Sequence, residues 1–272
     1  MKRILVPTDF SKNAEVATDY ALKLAEATGA KVLLCNAYSL PSTSAQMLGN
    51  MVEILQKRSQ EELTDLKKDL ISKYEIDSEK ISTHPILGDV LEAMNTMVDK
   101  EDVDLIVMGT TGAGSFINKL FGSNAANALR HAKRPVLTIP PNMRFAKPKK
   151  ICLATDFKMK SSNVLDMMID IAKLYESHID VLYVNDDKSD LPEAEQVKKS
   201  EEMDGMLQGV SHDFHFVDNN RIEDGINSFV DEHQHEMLCM IIKNYGFLES
   251  LFHRSVTKEM AMSGKVPLLA LK

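Results

Sequence analysis

The chain has 272 residues, of which 44% are hydrophobic and 26% are charged, a composition typical of folded globular proteins rather than disordered ones. Its 32 basic and 40 acidic side chains give a formal net charge of −8, which argues against a surface for nucleic acid or an anionic membrane. Three cysteines cannot form a disulfide framework, and no apolar run reaches the roughly 18 residues of a membrane span. We therefore expect a cytoplasmic protein.

Short apolar runs alternate with amphipathic stretches along the first half of the chain. Ser11 is placed to cap a first helix that ends at Gly29, because its side chain can accept from the first helical amides and glycine tolerates the left-handed conformation. Apolar spacing predicts further helices at 50–74, 90–100 and 123–131, and strands at 4–6, 32–35, 81–86, 105–108 and 135–139. Strands that are apolar throughout and alternate with helices indicate a parallel sheet covered on both faces.

The chain repeats itself once. Thr8-Asp9-Phe10 recurs 147 positions later as Thr155-Asp156-Phe157, and Met108 recurs 132 positions later as Met240. A repeat of this length is the size of a domain rather than of a solenoid unit. We predict a first domain at 1–140, a proline-containing linker at 141–148 and a second domain at 149–272.

A glycine-rich loop follows the strand at 105–108. Gly109, Gly112 and Gly114 lie within six residues, and Gly122-Ser123 opens the next helix. Glycine lets a ligand approach the backbone closely, and a helix N-terminus with a serine hydroxyl suits an anion. The loop is neither a Walker A motif nor a dinucleotide fingerprint. These residues are compatible with a polyphosphate site and equally with a tight strand-to-helix turn.

Three segments together resemble the universal stress protein family. They are the opening ILVPTDFSKNA, the spacing G-x2-G-x9-G-S met by Gly109, Gly112, Gly122 and Ser123, and the ending RPVLTIP. The resemblance covers residues 1–140 and, more faintly, 149–272. It implies an α/β fold of two tandem domains, each an open five-stranded parallel sheet with helices on both faces, in the adenine-nucleotide α-hydrolase-like class.

The resemblance also implies an adenine nucleotide as ligand, namely ATP with or without Mg²⁺. Asp9 would hydrogen-bond the ribose or adenine, Ala37 would contact the adenine from beyond the second strand, and Met108 and Gly109 would line the ribose side. The phosphates would be bound by Gly112, Gly122, Ser123 and Asn124. The full set of candidate site residues is Pro7, Thr8, Asp9, Ala37, Met108, Gly109, Thr111, Gly112, Gly114, Gly122, Ser123, Asn124 and Ala125.

The second copy lacks most of the glycine loop. At the 132-residue shift, Gly109 becomes Ile241, Gly112 becomes Asn244 and Gly122 becomes Arg254. We therefore predict one nucleotide site in the first domain and a degenerate second domain. The resemblance further implies that the final strands pair the two domains within the chain, and that two chains form a homodimer.

Other chemistry finds less support in the sequence. The pairs His212/His215 and His233/His235 lack the i, i+4 helical spacing of a metal motif, so we predict no metal site. No catalytic motif is present, so we predict no catalytic residues. The sequence favours an ATP-binding regulator of the stress response with little or no catalysis. A nucleotide-independent scaffold for unknown protein partners and a slow ATPase stay open as alternatives.

Overall fold

The structure is a computed structural model that describes residues 1–40, 48–111, 122–159, 161–186, 191–242 and 265–272. These residues form two compact units. The first comprises the described residues up to Asn142, and the second runs from Met143 to Lys272. The boundary between Asn142 and Met143 lies inside the segment predicted as a linker.

Unit 1 alternates strands and helices as the sequence predicts. Its elements are β1 (Arg3–Pro7), α1 (Lys12–Thr28), β2 (Lys31–Tyr38), α2 (Leu48–Tyr74), β3 (Ile81–Leu87), α3 (Val90–Glu101), β4 (Leu105–Gly109), α4 (Ser123–His131) and β5 (Val136–Ile139). The strands pair in parallel in the order β3-β2-β1-β4-β5. The order reverses at β1, and such a switch point opens a crevice beyond the carboxyl ends of the strands.

The ends of the first and third helices are encoded locally. The Ser11 side chain accepts a hydrogen bond from the Ala14 amide at 3.3 Å, and Gly29 takes a left-handed φ of 73° directly after α1, as predicted. Asp89 caps α3 by accepting from the Glu92 amide at 2.9 Å. Each cap satisfies an amide or terminates a helix, which sets where the chain turns back toward the sheet.

Helices cover the central strands and make the interior of unit 1 apolar. Helix α1 packs against β1, β4 and β5 and α2 against β2 and β3, whereas α3 packs against β1 and β2 and contacts α4. Ile4, Leu5 and Val6 are fully buried in β1, so both faces of that strand are covered. Among the described helices, none is both long and apolar enough to cross a lipid bilayer.

Strand β2 differs from its predicted extent. The sequence predicts a strand over 32–35, whereas β2 continues to Tyr38 because it pairs with β3 along its whole carboxyl half. Ala37 therefore lies inside β2 and not beyond it, which corrects the prediction. Strand β3 carries Pro85 in its interior, and it pairs with β2 alone among the described strands; an edge strand tolerates a residue that cannot donate to a second ladder.

Unit 2 repeats this plan. Its elements are β6 (Lys150–Ala154), α5 (Asp166–Tyr175), β7 (His178–Asn185), α6 (Glu193–Asp204), β8 (His212–Asp218), α7 (Ile222–Glu232), β9 (Met237–Ile241) and β10 (Leu268–Leu271). Its strands pair in parallel in the order β8-β7-β6-β9-β10, the same order as in unit 1. The α/β fold class and the tandem repeat are thereby confirmed.

Candidate functional site

A cavity of about 280 Å³ opens at the switch point of unit 1, where β1 and β4 end side by side. Every described candidate residue lines it, whereas Gly112 and Gly114 lie outside the described residues. The lining also includes residues that the sequence analysis does not single out. These are Ala14, Cys35, Val90, Ala93 and Thr110.

The turn after β1 forms one side of the cavity and is held by its own side chains. The Thr8 amide donates to the Cys35 carbonyl at 2.8 Å, which extends the β1–β2 ladder by one residue. Thr8 Oγ1 accepts from the Phe10 amide at 3.0 Å, and Asp9 Oδ1 accepts from the Ser11 amide at 3.1 Å. Phe10 takes a φ of +61°, a conformation that these two bonds support.

The same turn recurs after β6 in unit 2. Thr155 Oγ1 accepts from the Phe157 amide at 2.9 Å, Asp156 Oδ1 accepts from the Lys158 amide at 2.9 Å, and Phe157 has a φ of +54°. The shared geometry of the two copies gives the aspartate a local structural role, because it holds the turn that follows the strand. Asp9 is exposed, so its carboxylate can also reach a ligand in the cavity.

A wall of small apolar side chains faces this turn from β2 and α3. Ala37 and Cys35 come from β2, and Val90 and Ala93 from the first turn of α3. Cys35 is 1% exposed, and burial raises the pKa of its thiol to about 12. The thiol therefore stays protonated at neutral pH and acts as an apolar wall rather than as a nucleophile.

Apart from Ala37, sequence reasoning misses this wall, because small apolar residues carry no chemical signature of a site. The sequence signal for Cys35 is that it ends the predicted strand at 32–35, just as Pro7 follows the strand at 4–6, and the structure pairs these two residues in register.

Gly109 ends β4 and is explained by packing against α1. A Cβ on Gly109 would lie 2.9 Å from the backbone oxygen of Asn13, closer than side chains approach backbone atoms. Its φ is not positive, so the left-handed conformation is not the reason for glycine here. The side chain of Asn13 also donates to Thr111 Oγ1. The first turn of α1 thus holds the start of the glycine-rich loop.

The N-terminus of α4 forms the opposite side of the cavity. Gly122 is its N-cap residue, with a φ of −70° and a ψ of 162°, and it supplies no side-chain cap. Its amide donates to the Thr110 carbonyl at 2.7 Å, which ties the helix start to the end of β4. The amides of the first turn, from Ser123 to Ala125, have no acceptor inside the helix. An uncapped helix start of this kind attracts negative charge.

The corresponding region of unit 2 is filled by larger side chains. Val184 occupies the position of Ala37, and Gly225 occupies that of Ala93. A Cβ on Gly225 would lie 2.7 Å from Val184 Cγ1, so the valine already uses the space that an alanine would need. Ile241 replaces Gly109 at the end of β9.

An aromatic cluster lies on the other face of β7 from Val184, because successive side chains of a strand alternate between faces. The ring of Phe157, 7% exposed, stacks on Tyr183 with centroids 5.6 Å apart and on Phe216 at 6.0 Å. Asn244 and Arg254, the other substitutions in the predicted degenerate loop, lie outside the described residues.

The histidines singled out in the sequence lie in unit 2, and two of the four contact one buried carboxylate. His215 Nε2 and His235 Nε2 contact the two oxygens of Asp180 at 2.7 and 2.8 Å. Burial alone would raise the pKa of Asp180, but the hydrogen bonds from His235 and His215 outweigh it and hold that pKa below its ordinary value. His212 points elsewhere, to Asp204 at 3.2 Å, and His233 Nδ1 contacts the Phe229 carbonyl at 3.0 Å.

Comparisons with known proteins agree with the fold and the repeat. The model of the Universal stress protein family matches the chain twice, over residues 1–140 and 147–272. Universal stress protein G of Salmonella typhimurium is 29% identical over 143 residues, which cover 51% of this chain and 98% of that protein. Universal stress protein MJ0531 of Methanocaldococcus jannaschii is 30% identical over 155 residues, covering 55% of this chain and 84% of that protein.

The similarity to solved structures extends over nearly the whole chain. A universal stress protein from Archaeoglobus fulgidus superposes with a TM-score of 0.75 at 19% identity, covering 99% of this chain and 98% of that one. At 19% sequence identity, structural similarity is evidence for the fold alone. Together with the two family matches, it confirms the resemblance predicted from the sequence. The chain belongs to the universal stress protein family, as a member with two tandem domains.

Proposed function

We propose that the cavity of unit 1 binds ATP and that the chain acts in the stress response as a nucleotide-dependent regulator rather than as a catalyst. One observation carries the proposal. A strand-end turn with an exposed carboxylate, a wall of small apolar side chains and an uncapped helix start all line the same cavity. A hydrogen-bond acceptor, an apolar surface and a helix N-terminus match, in this order, the ribose, the base and the phosphates of a nucleotide.

Each part of the nucleotide has a matching surface. The adenine would pack on Ala37, Val90 and Ala93, where small side chains leave room for a flat ring. The Asp9 carboxylate would accept hydrogen bonds from ribose hydroxyls. The phosphates would lie at the amides that begin α4, together with any Mg²⁺ they carry. The volume of about 280 Å³ is near the lower end of the range for small-molecule sites, about 300–1,000 Å³, so the triphosphate would extend toward solvent.

The residues that line the cavity also predict slow hydrolysis of bound ATP. Phosphoryl transfer is catalysed by metal ions, by a positioned base and by cationic side chains that neutralise the transition state. Among the described lining residues, Asp9 is the one with a formal charge, and it is already engaged by the Ser11 amide. We therefore expect ATP to stay bound without rapid hydrolysis, which suits a signal better than a substrate.

The nucleotide content of the purified protein tests the proposal most directly. The protein is denatured, and the supernatant is separated by anion-exchange chromatography beside nucleotide standards. We expect about one equivalent of ATP per chain, or one equivalent bound when ATP is added back. Two equivalents would contradict the predicted degenerate second domain, and ADP would favour the slow ATPase. Protein that contains no nucleotide after purification and does not bind added ATP would refute the proposal and favour the nucleotide-independent scaffold.

Asp9 and Asp156 offer a matched pair of variants for the same site. Each aspartate accepts from the amide two residues ahead, so Asp9→Ala and Asp156→Ala remove the same local bond, which is worth about 1–2 kcal/mol. The cavity lies beside Asp9 alone of the two. We expect both variants to lose similar stability and Asp9→Ala alone to lose ATP affinity. Equal ATP affinity in the two variants would show that Asp9 does not contribute to nucleotide binding.

A further inference from the structure

In each of two neighbouring strands of unit 2, a histidine and an aspartate lie two positions apart. Strand β7 has His178 and Asp180, and β8 has Asp213 and His215. Asp180 pairs in register with Asp213. Because side chains alternate between the two faces of a sheet, all four side chains project from the same face. They lie near the amino ends of the strands, away from the strand ends that correspond to the cavity of unit 1.

The separations between His178 and the two carboxylates suit a bound ion better than hydrogen bonds. His178 Nε2 lies 3.4 Å from Asp180 Oδ1 and 3.3 Å from Asp213 Oδ2. Nitrogen–oxygen hydrogen bonds are usually about 2.7–3.2 Å long. Two ligand atoms that each lie about 2.0–2.1 Å from a tetrahedral ion are about 3.3–3.4 Å apart. One ligand atom from each of the three residues lies within 4.8 Å of the others, so the three groups converge on one small region.

The groups behind these side chains are already arranged as partners of metal ligands. His178 Nδ1 lies 2.8 Å from Ser211 Oγ, so a proton on Nδ1 leaves the Nε2 lone pair facing the two carboxylates. Asp180 Oδ2 accepts from His235 Nε2 at 2.8 Å, and the side chain of His235 is fully buried. Histidine and carboxylate ligands of metals are typically oriented by such outer hydrogen bonds.

A cation would also stabilise the two carboxylates, of which Asp180 already accepts hydrogen bonds from His215 and His235. Asp180 and Asp213 are directly opposite on paired strands, where like charges destabilise a sheet. Asp180 is nearly buried, with 8% of its side chain exposed, whereas Asp213 is 73% exposed. A divalent ion would neutralise both carboxylates, and the exposed Asp213 leaves a path by which the ion can enter from solvent.

We propose that unit 2 binds one divalent transition-metal ion, with zinc as the best match, through His178 Nε2, Asp180 Oδ1 and Asp213 Oδ2. One imidazole and two carboxylates in a tetrahedral arrangement suit zinc, whereas calcium and magnesium prefer shells made of oxygen alone. His215 Nε2 contacts the ligating oxygen of Asp180 at 2.7 Å and is a positioning residue, and water completes the shell. This site is independent of the ATP proposal, because it lies wholly in unit 2.

Metal titration of the full chain tests this site. The protein is prepared without a histidine tag, stripped with chelator and exchanged into metal-free buffer. Co²⁺ is then titrated while visible absorption is recorded, and Zn²⁺ is added in competition. We expect one equivalent of Co²⁺ per chain, with the absorption bands of a tetrahedral site, displaced by Zn²⁺. Failure of the stripped protein to bind either ion would overturn the proposal.

Variants assign the binding to these residues. Asp213→Asn changes one exposed atom and should leave the fold intact, and His178→Gln removes the imidazole. We expect both to weaken Co²⁺ binding at least about tenfold, since changes to outer partners alone cost about 10–100-fold. Wild-type affinity in Asp213→Asn would overturn the proposal even if His178→Gln failed to fold.

His212→Gln is the matched control. His212 lies on β8 beside Asp213, but its side chain projects from the opposite face of the sheet. There its Nδ1 contacts the Val210 carbonyl at 2.9 Å and its Nε2 contacts Asp204 at 3.2 Å. This variant should bind Co²⁺ as the wild type does. A loss of binding in His212→Gln equal to that in His178→Gln would place the ion elsewhere and refute the assignment.

Discussion

Replacing Ala37 with valine should close the cavity of unit 1 in the way that unit 2 is already closed. Ala37 lines the cavity, and its counterpart Val184 packs against Gly225 so tightly that a Cβ there would lie 2.7 Å from Val184 Cγ1. In unit 1 the position of Gly225 is held by Ala93, which does carry a Cβ. A new valine methyl must therefore overlap Ala93 or turn into the space proposed for the adenine.

Both effects have expected magnitudes. Attractive contacts between carbon atoms are optimal at about 3.5–4.0 Å, so a separation near 2.7 Å is strongly repulsive. Overpacking of this kind costs about 1–3 kcal/mol of folding stability. A methyl group in the base-binding space should weaken ATP binding by at least about 1.4 kcal/mol, which is tenfold in Kd. At ATP concentrations near 100 times the wild-type Kd, the wild type would gain about 2.7 kcal/mol of stability and the variant clearly less.

A double variant separates the two effects. Ala37→Val with Ala93→Gly recreates the pair found in unit 2, which relieves the overlap at a cost of about 1 kcal/mol for glycine inside α3. Calorimetric ATP titration and thermal unfolding, with and without ATP, are measured for the wild type and both variants. We expect the double variant to recover packing and part of the ATP affinity, because the valine methyl groups can then occupy the space of the Ala93 Cβ instead of the adenine space. ATP binding by Ala37→Val as tight as that of the wild type, or a double variant no more stable than Ala37→Val, would refute this prediction.

Three further predictions concern packing and the thiols. Gly109→Ala should destabilise unit 1 by about 1–3 kcal/mol, because its Cβ would meet backbone rather than a movable side chain; an unchanged unfolding midpoint would contradict this. Burial raises the pKa of all three cysteine thiols, so a thiol reagent at pH 8 should react slowly with native protein and with three equivalents after denaturation. The buried Tyr175 hydroxyl has no partner among the described residues, so Tyr175→Phe should leave stability unchanged or raise it by about 1 kcal/mol, and a loss above that would reveal a bond.

Much of the fold could be predicted from local features of the sequence. The alternation of apolar runs with amphipathic stretches predicts every strand and helix of unit 1, with ends that differ by a few residues. The caps at Ser11 and Gly29 were predictable because capping depends on residues a few positions apart. The repeat of Thr8-Asp9-Phe10 as Thr155-Asp156-Phe157 carried over into the same turn in both units.

The candidate site was predictable only in part. Residues that follow strands could be identified, because the carboxyl ends of parallel strands meet at one edge of the sheet. The opposing wall of Cys35, Val90 and Ala93 could not, since small apolar residues look the same in a core and in a cavity. The sequence also explained Gly109 by close approach of a ligand, whereas its neighbour is Asn13 of α1, a contact set by how that helix packs on the sheet.

The proposed metal site in unit 2 shows most clearly what the sequence determines and what only the tertiary structure decides. The sequence by itself determined the strands of the first domain, the repeat and the two-residue spacing of His178 from Asp180 and of Asp213 from His215. It predicted no metal site because the histidines lack helical spacing. Only the tertiary structure decided that the two pairs face each other, since the register that sets Asp180 opposite Asp213 depends on strand pairing between segments more than 30 residues apart. Spacing along a chain encodes which face a side chain takes, but pairing between strands decides which side chains meet on that face.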